Sequence, residues 1–408
     1  MSNLHPNAKP IRNIPKLGVP FSAITATLMA MYGLFAINPL IAYLGWHGVH
    51  TLALLGGLLV LAVIIIRRGN IKPWFIWTTL IMLSLSSITA LYWGDARYLM
   101  ALIFFIFSLY LLQASDLRAI DIFISVSSVL MILMVIGACI GFLFALAGFQ
   151  PLYEFPNPDG RTNYFYYTTL TNFILGNIIR PAGIYDEPGT LSFIVCAIAA
   201  LRHLRNRDKR FTWLLLGLGF ITFSLAHLIY VAMHLMAERI RSRELLRIVS
   251  VIIAIVIALG AVGGYDILDV MLLQRLTVND AGALAGDNRS NQMFNAINHL
   301  QANPASILFS ADPLCRFDHD ICKKKYPSMG ENPLSPLVFL GLFVSWPYYI
   351  CLVLLFLAPL RGRGYFVAFG IGLLLMQRPY FDGVGYSLLV VLVLWVSYFK
   401  SEFSKELK

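Results

Sequence analysis

Apolar and polar positions alternate in blocks along this chain, and the blocks are too long for the two-residue or four-residue rhythms of a soluble fold. Apolar runs occupy about 21–45, 50–66, 74–93, 98–113 and 119–148. A polar stretch follows, and further runs lie at about 189–203, 211–236, 246–264, 335–358, 364–378 and 384–400. A bilayer core about 30 Å thick is crossed by about 20 apolar residues in helical form. The pattern predicts an all-α polytopic membrane protein, with residues 1–408 forming a single transmembrane domain. The first run is longer than a signal-peptide core and lacks a small-residue cleavage site, so it reads as a retained helix.

Composition supports this reading. The chain is 58% hydrophobic and only 13% charged, too little charge to cover a soluble surface. The net charge of +10 does not point to nucleic acid, because the basic residues sit in short clusters between apolar runs. That is where cytoplasmic loops carry them. Lys9, Arg12 and Lys16 place the N-terminus inside, and Arg67, Arg68, Lys72 and Arg118 follow on the same side.

One run breaks the alternation. If 211–236 crossed once, Arg239, Arg241, Arg243 and Arg247 would lie outside. If it is instead two half-length helices joined near Ser224-Leu-Ala-His227, both flanking basic clusters fall inside. The alternative is one helix with a serine kink. The two-helix reading puts 21 of the 31 lysines and arginines on the cytoplasmic side, and it raises the expected count to about twelve helices with both termini inside. Half-helices meeting inside a bundle need protein or water for their backbone ends.

Two long polar segments then face outward, at 150–188 and 265–334. Long loops in a compact membrane protein are usually functional. The first ends in Arg180-Pro-Ala-Gly-Ile-Tyr-Asp-Glu-Pro-Gly189, which brings Arg180, Asp186 and Glu187 to one helix entrance. The second holds Gly286-Asp-Asn-Arg-Ser-Asn-Gln-Met-Phe-Asn-Ala-Ile-Asn-His-Leu300, an amphipathic helix from Asn288 with Arg289 at its start. Glu331 precedes the next apolar run. Arg378, Tyr380 and Asp382 fill the last outer turn, and His227 at the half-helix turn is a further candidate for lining the same cavity. Tyr164, Phe165, Tyr166 and Tyr167 form an aromatic group; such rings can stack on sugars, but the group fits better the tyrosine enrichment found at bilayer interfaces.

Walker, metalloprotease, nucleophile-elbow and zinc-type cysteine motifs do not occur, and no metal or cofactor is expected. Cys139, Cys196 and Cys351 lie in apolar runs, whereas Cys315 and Cys322 share the second loop and are candidates for a small disulfide in an oxidising compartment. Arginine forks suit phosphate oxygens, and a carboxylate beside them suits a hydroxyl nucleophile. These residues alone point to a phosphorylated, membrane-held substrate. They do not separate an enzyme from a transporter or receptor.

At these positions the chain resembles the O-antigen polymerase and ligase superfamily of bacterial envelope glycosyltransferases. The resemblance rests on the 180–189 motif, the short hairpin around Phe-Ser-Leu-Ala-His, Asn-Arg-Ser-Asn-Gln-Met-Phe-Asn-Ala-Ile, and the large penultimate outer loop. It implies a GT-C type architecture in the bacterial inner membrane and a metal-independent, inverting transfer on the periplasmic side. The donor would be a glycan on undecaprenyl diphosphate, gripped by Arg180 and Arg289, with Glu187 or Glu331 orienting the acceptor hydroxyl. Partners would be that lipid-linked glycan, membrane lipids and a chain-length regulator protein. The ligase branch typically carries a His-Asn pair where this chain has Glu331-Asn332, a departure that favours polymerase over ligase. A lipid-linked oligosaccharide transporter is the non-enzymatic alternative. No internal repeat of the transporter kind is evident.

Overall fold

The computed structural model describes residues 21–35, 71–156, 161–238, 288–313, 325–383 and 385–403. Within them the chain is predominantly helical. Among the described residues, four helical stretches are long and apolar enough to cross a membrane: Pro73–Trp93, Arg97–Ala114, Leu117–Leu146 and Leu342–Arg361, the second interrupted by a turn at 101–102 and the last ending in a 3-10 turn. The runs expected at 50–66 and 246–264, and the basic cluster of Arg239, Arg241, Arg243 and Arg247, lie outside the described residues.

In chain order the helices are α1 (Phe21–Ala30), α2 (Pro73–Trp93), α3 (Arg97–Met100), α4 (Ile103–Ala114) and α5 (Leu117–Leu146). Next come α6 (Pro188–Leu204), α7 (Lys209–Gly219), α8 (Leu225–Ala237), α9 (Asn288–Ala302) and α10 (Ser306–Phe309). The last are α11 (Ser335–Leu340), α12 (Leu342–Leu357), α13 (Phe366–Gln377) and α14 (Tyr386–Phe403). Local chemistry sets several boundaries. Asp116 caps α5 by accepting from the Ala119 amide at 2.7 Å, and Asp208 caps α7 through the Arg210 and Phe211 amides. Pro73 and Pro188 open α2 and α6, where a missing N–H costs nothing.

Helix α5, of 30 residues and so about 45 Å long, shows how the bundle meets its surroundings. One face buries Phe123, Ile124, Met131, Val135 and Ala138. The opposite stripe, Val126, Val129, Leu133, Ile136, Ile140 and Leu143, is apolar yet exposed. A water-facing stripe would be polar, so this one suits lipid tails. Helix α6 is the reverse case. Nearly every residue from Pro188 to Leu204 is buried, which makes it the central post, with α5, α7, α8, α13 and α14 packed around it.

The run at 211–236 is two helices. Helix α7 ends at Gly219, a 3-10 turn covers Phe220–Thr222, and Phe223 takes a left-handed backbone at φ 46° before α8 begins. The chain doubles back, since Trp213 near the start of α7 donates its Nε1–H to Glu238 at the end of α8 at 3.2 Å. A Cβ on Gly219 would stand 2.4 Å from the His227 ring, so glycine is required for the two arms to close at the tip.

The polar segment at 150–188 contains strand structure that periodicity did not signal. β1 (Tyr153–Pro156), β2 (Thr162–Tyr166) and β3 (Thr169–Thr171) form an antiparallel sheet, with Tyr153 opposite Phe165 and Tyr164 opposite Thr171. β4 (Ile174–Leu175) and β5 (Ile178–Ile179) form a hairpin beside it. The sheet docks on α5 and the hairpin tip through Tyr166, Phe142, Ile179 and Phe223. Of the aromatic group, Tyr166 is buried there, and Tyr167 remains exposed against Phe144 and Phe149.

Candidate functional site

Three arginines and two glutamates meet where the α6 N-terminus, the α13 C-terminus and the α9 N-terminus converge. Glu187 precedes Pro188 with extended backbone, and its carboxylate is buried between Arg378 and Arg161. Arg378 Nη2 donates to one carboxylate oxygen and Arg161 Nη2 to the other. Arg161 also lies 4.0 Å from Glu331 Oε1, so it bridges the two acids. Arg289 Nη2 reaches Glu331 Oε2 at 3.5 Å, and its Nη1 donates to the Gln377 carbonyl at 2.7 Å. Tyr380 donates its hydroxyl hydrogen to Glu331 Oε1 at 3.2 Å.

Burial grades this cluster. The side chains of Glu187 and Arg378 are 7% and 10% exposed, whereas Glu331, Arg289 and Arg161 are 31%, 29% and 48% exposed. The first pair forms a fixed floor, and the other three groups form an accessible rim. Burial alone would raise the Glu187 carboxyl, but the charges and hydrogen bonds of Arg378 and Arg161 outweigh it and hold it down at about 2. Arg378 is pushed down by burial and more than restored by Glu187, so it stays a cation. Asp186, beside Glu187, moves up because of burial and its neighbour's negative charge. Its carboxylate accepts from Thr190 Oγ1 at 3.2 Å, and Thr190 accepts from Tyr386 at 2.9 Å. Across the cluster three arginines stand against Glu187, Glu331 and the adjoining Asp186, and the two rim guanidiniums are the accessible ones.

Two backbone features hold the site in shape. Glu331 adopts φ 54°, a left-handed conformation that is uncommon for glutamate and recurs at functional positions. The turn around it is locked by Asn332, whose amide donates to the Met329 carbonyl at 2.7 Å and whose carbonyl oxygen accepts from the Leu334 amide at 2.9 Å. Gly189 lets the Arg378 guanidinium lie flat on the start of α6, where a Cβ would stand 2.3 Å from Nη2.

Of the residues singled out in the sequence, Glu187, Glu331, Arg289, Arg378 and Tyr380 are brought together, with Asp186 adjoining. Arg180 is placed at the hairpin, where its Nη2 donates to the Phe223 carbonyl at 3.1 Å and approaches that of Thr222 at 3.4 Å. It caps carbonyls freed where the helix is broken, the role such a turn demands. His227 is fully buried behind the tip, with Nε2 2.8 Å from the Leu216 carbonyl and Nδ1 3.4 Å from Ser192 and Cys196. It serves the other freed end and does not reach the glutamates. Cys315 and Cys322 lie outside the described residues.

Arg161 is the cluster member that sequence reasoning missed. It sits just before β2, in no recognisable motif, and only the sheet fold carries it to Glu187. Comparisons with family models, with curated proteins and with solved structures find no match to this chain.

Proposed function

We propose that this protein is a polymerase of membrane-held glycans, joining oligosaccharide repeat units carried on a polyprenyl diphosphate such as undecaprenyl diphosphate. The observation that carries the reading is the arginine-rich rim around a partly exposed glutamate at one end of an apolar helical bundle. A lipid diphosphate can enter such a site from the bilayer. Arg289 and Arg161 supply planar forks for its oxygens, and Arg378 adds a fixed positive charge beneath them.

In the reaction, a hydroxyl of one lipid-linked unit attacks the anomeric carbon of the other chain. The new glycosidic C–O bond forms as the bond to the diphosphate breaks, and that electron pair leaves with the diphosphate. The arginines stabilise the growing negative charge. The hydroxyl proton passes to Glu331, the rim carboxylate, held in aim by Tyr380. Glu187 has both oxygens engaged by arginines and serves to anchor Arg378.

This reading carries with it about twelve membrane crossings, a GT-C type arrangement and a place in the bacterial inner membrane with the cluster facing the periplasm. Its polarity is supported by α6 itself. The basic residues Arg202, Arg205 and Arg207 gather at the end opposite Glu187, where Arg205 and Arg207 pair with Asp121 at 2.8 and 3.1 Å.

The test is an electrophoretic profile of surface glycan from cells lacking the gene. A single band of acceptor plus one repeat unit, restored to a ladder by the intact gene but not by Arg289→Ala, is the expected result. Bare acceptor would indicate a ligase or an export defect instead. An unchanged ladder would remove this class of glycan from consideration.

A further inference from the structure

At the other end of α6, about 24 Å from Glu187 by the helical rise over sixteen residues, a second constellation has no part in this chemistry. His203 stands in the last turn of α6, His234 in the last turn of α8, and Glu238 just past the end of α8. His203 Nδ1 lies 3.6 Å and His234 Nε2 3.8 Å from the same oxygen, Glu238 Oε1. One ligand atom from each residue lies within 4.8 Å of the others.

Both histidine–carboxylate distances exceed a good hydrogen bond. His234 is wholly buried, and its Nε2 has no hydrogen-bond partner among the described residues although it faces this cluster. A buried ring nitrogen left in this state is destabilising unless something is bound there. A tetrahedral cation with bonds of about 2.0–2.2 Å separates its ligands by about 3.3–3.6 Å. The observed 3.6 and 3.8 Å edges approach that size, and the edge between the two imidazoles is within 4.8 Å.

The surroundings fit a metal site as well. His234 Nδ1 lies 3.4 Å from the Tyr230 hydroxyl, so a proton held there donates to Tyr230 and leaves the Nε2 lone pair directed at the cluster. Trp213 Nε1–H donates to Glu238 Oε2 at 3.2 Å, which fixes the carboxylate and leaves Oε1 towards the two imidazoles. Lys209 Nζ, on an exposed side chain, lies 3.9 Å from Oε2 on the far side of the carboxylate. Two imidazoles and one carboxylate suit Zn²⁺ rather than Mg²⁺ or Ca²⁺, which prefer oxygen alone.

We infer that His203, His234 and Glu238 form a binding site for one zinc-type divalent cation, which staples the open end of the α7–α8 hairpin to α6. A water fills the fourth position. The staple holds the arms whose tip is capped by Arg180 at the opposite end.

Full-length protein in detergent, stripped with EDTA and dialysed, is titrated with zinc sulfate while bound metal and apparent Tm are followed. One zinc per chain and a raised Tm are expected. His203→Ala and Glu238→Gln each weaken binding by at least about tenfold. Lys209→Ala, which removes a competing cation, binds at least as tightly. If His234→Ala fails to fold, the wild-type titration and the partly exposed His203 decide the matter. Stripped, monodisperse wild-type protein that takes up no zinc would overturn the inference. So would zinc bound equally tightly by wild type, His203→Ala and Glu238→Gln.

Discussion

Replacing Glu187 with Gln preserves its shape but removes the charge that allows Arg378 to remain buried. Burial would raise the Glu187 carboxyl, but Arg378 and Arg161 hold it below its ordinary value, so the substitution removes a charge on which the buried guanidinium depends. Removing one member of a buried pair costs about 3–5 kcal/mol in general, because the survivor is left uncompensated. Taking about 3 kcal/mol and the usual entropy of unfolding for a chain of this length, the apparent Tm falls by about 3–4 °C.

The pH dependence carries a definite sign. A depressed carboxyl contributes stability that is fully present above pH 4.5 and is lost as pH falls from there toward about 2. The Glu187→Gln protein therefore lacks that part of the wild-type acid slope. The assay is thermal unfolding of detergent-purified protein across this pH window, with Arg378→Gln and the double variant completing a cycle. The double variant should recover most of the loss of either single one. Arg161→Gln, whose side chain is 48% exposed, should cost less than about 1 kcal/mol. Additive single losses in the cycle, or an Arg161→Gln variant as damaged as Glu187→Gln, would refute the fixed-floor description.

Other perturbations separate the roles further. Glu331→Gly relieves the left-handed backbone at φ 54° and removes the carboxylate, so Tm is kept or raised while transfer is lost. Gly189→Ala forces Arg378 off the start of α6, so its thermal unfolding should reproduce the Glu187→Gln defect. Arg180→Ala leaves the Phe223 and Thr222 carbonyls without their donor. It should lower stability by about 1–3 kcal/mol, seen as faster proteolysis at the hairpin. Arg289→Lys keeps charge but loses the fork, and an enzyme assay should show partial activity between wild type and Arg289→Ala.

What could be read from the chain depended on whether local pattern or tertiary placement set each feature. The split of 211–236 was legible because lysine and arginine bias demanded that both its ends share one side, and Ser224 and His227 marked the turn. Helix α9 was legible from the 3.6-residue spacing of Met293, Ile297 and Leu300. The strands at 153–179 were not, because they are only two to five residues long and lack clean alternation. Arg161 stayed hidden for the same reason, since its partner is 26 residues away across that sheet. Arg180 looked like a phosphate ligand because an arginine beside Asp186 and Glu187 satisfies that pattern. The sequence could not show that broken-helix carbonyls also compete for the same fork. The His203, His234 and Glu238 group was hidden because only an i, i+4 pair is local.

The most direct test of the central claim uses purified protein in liposomes with a polyprenyl-diphosphate-linked oligosaccharide, following glycan length and released polyprenyl diphosphate by mass spectrometry. The account predicts dimers and longer chains, with one lipid diphosphate released per linkage formed, and no product from folded Arg289→Ala or Glu331→Gln protein. Undiminished product from both variants, or chain growth without diphosphate release, would contradict it.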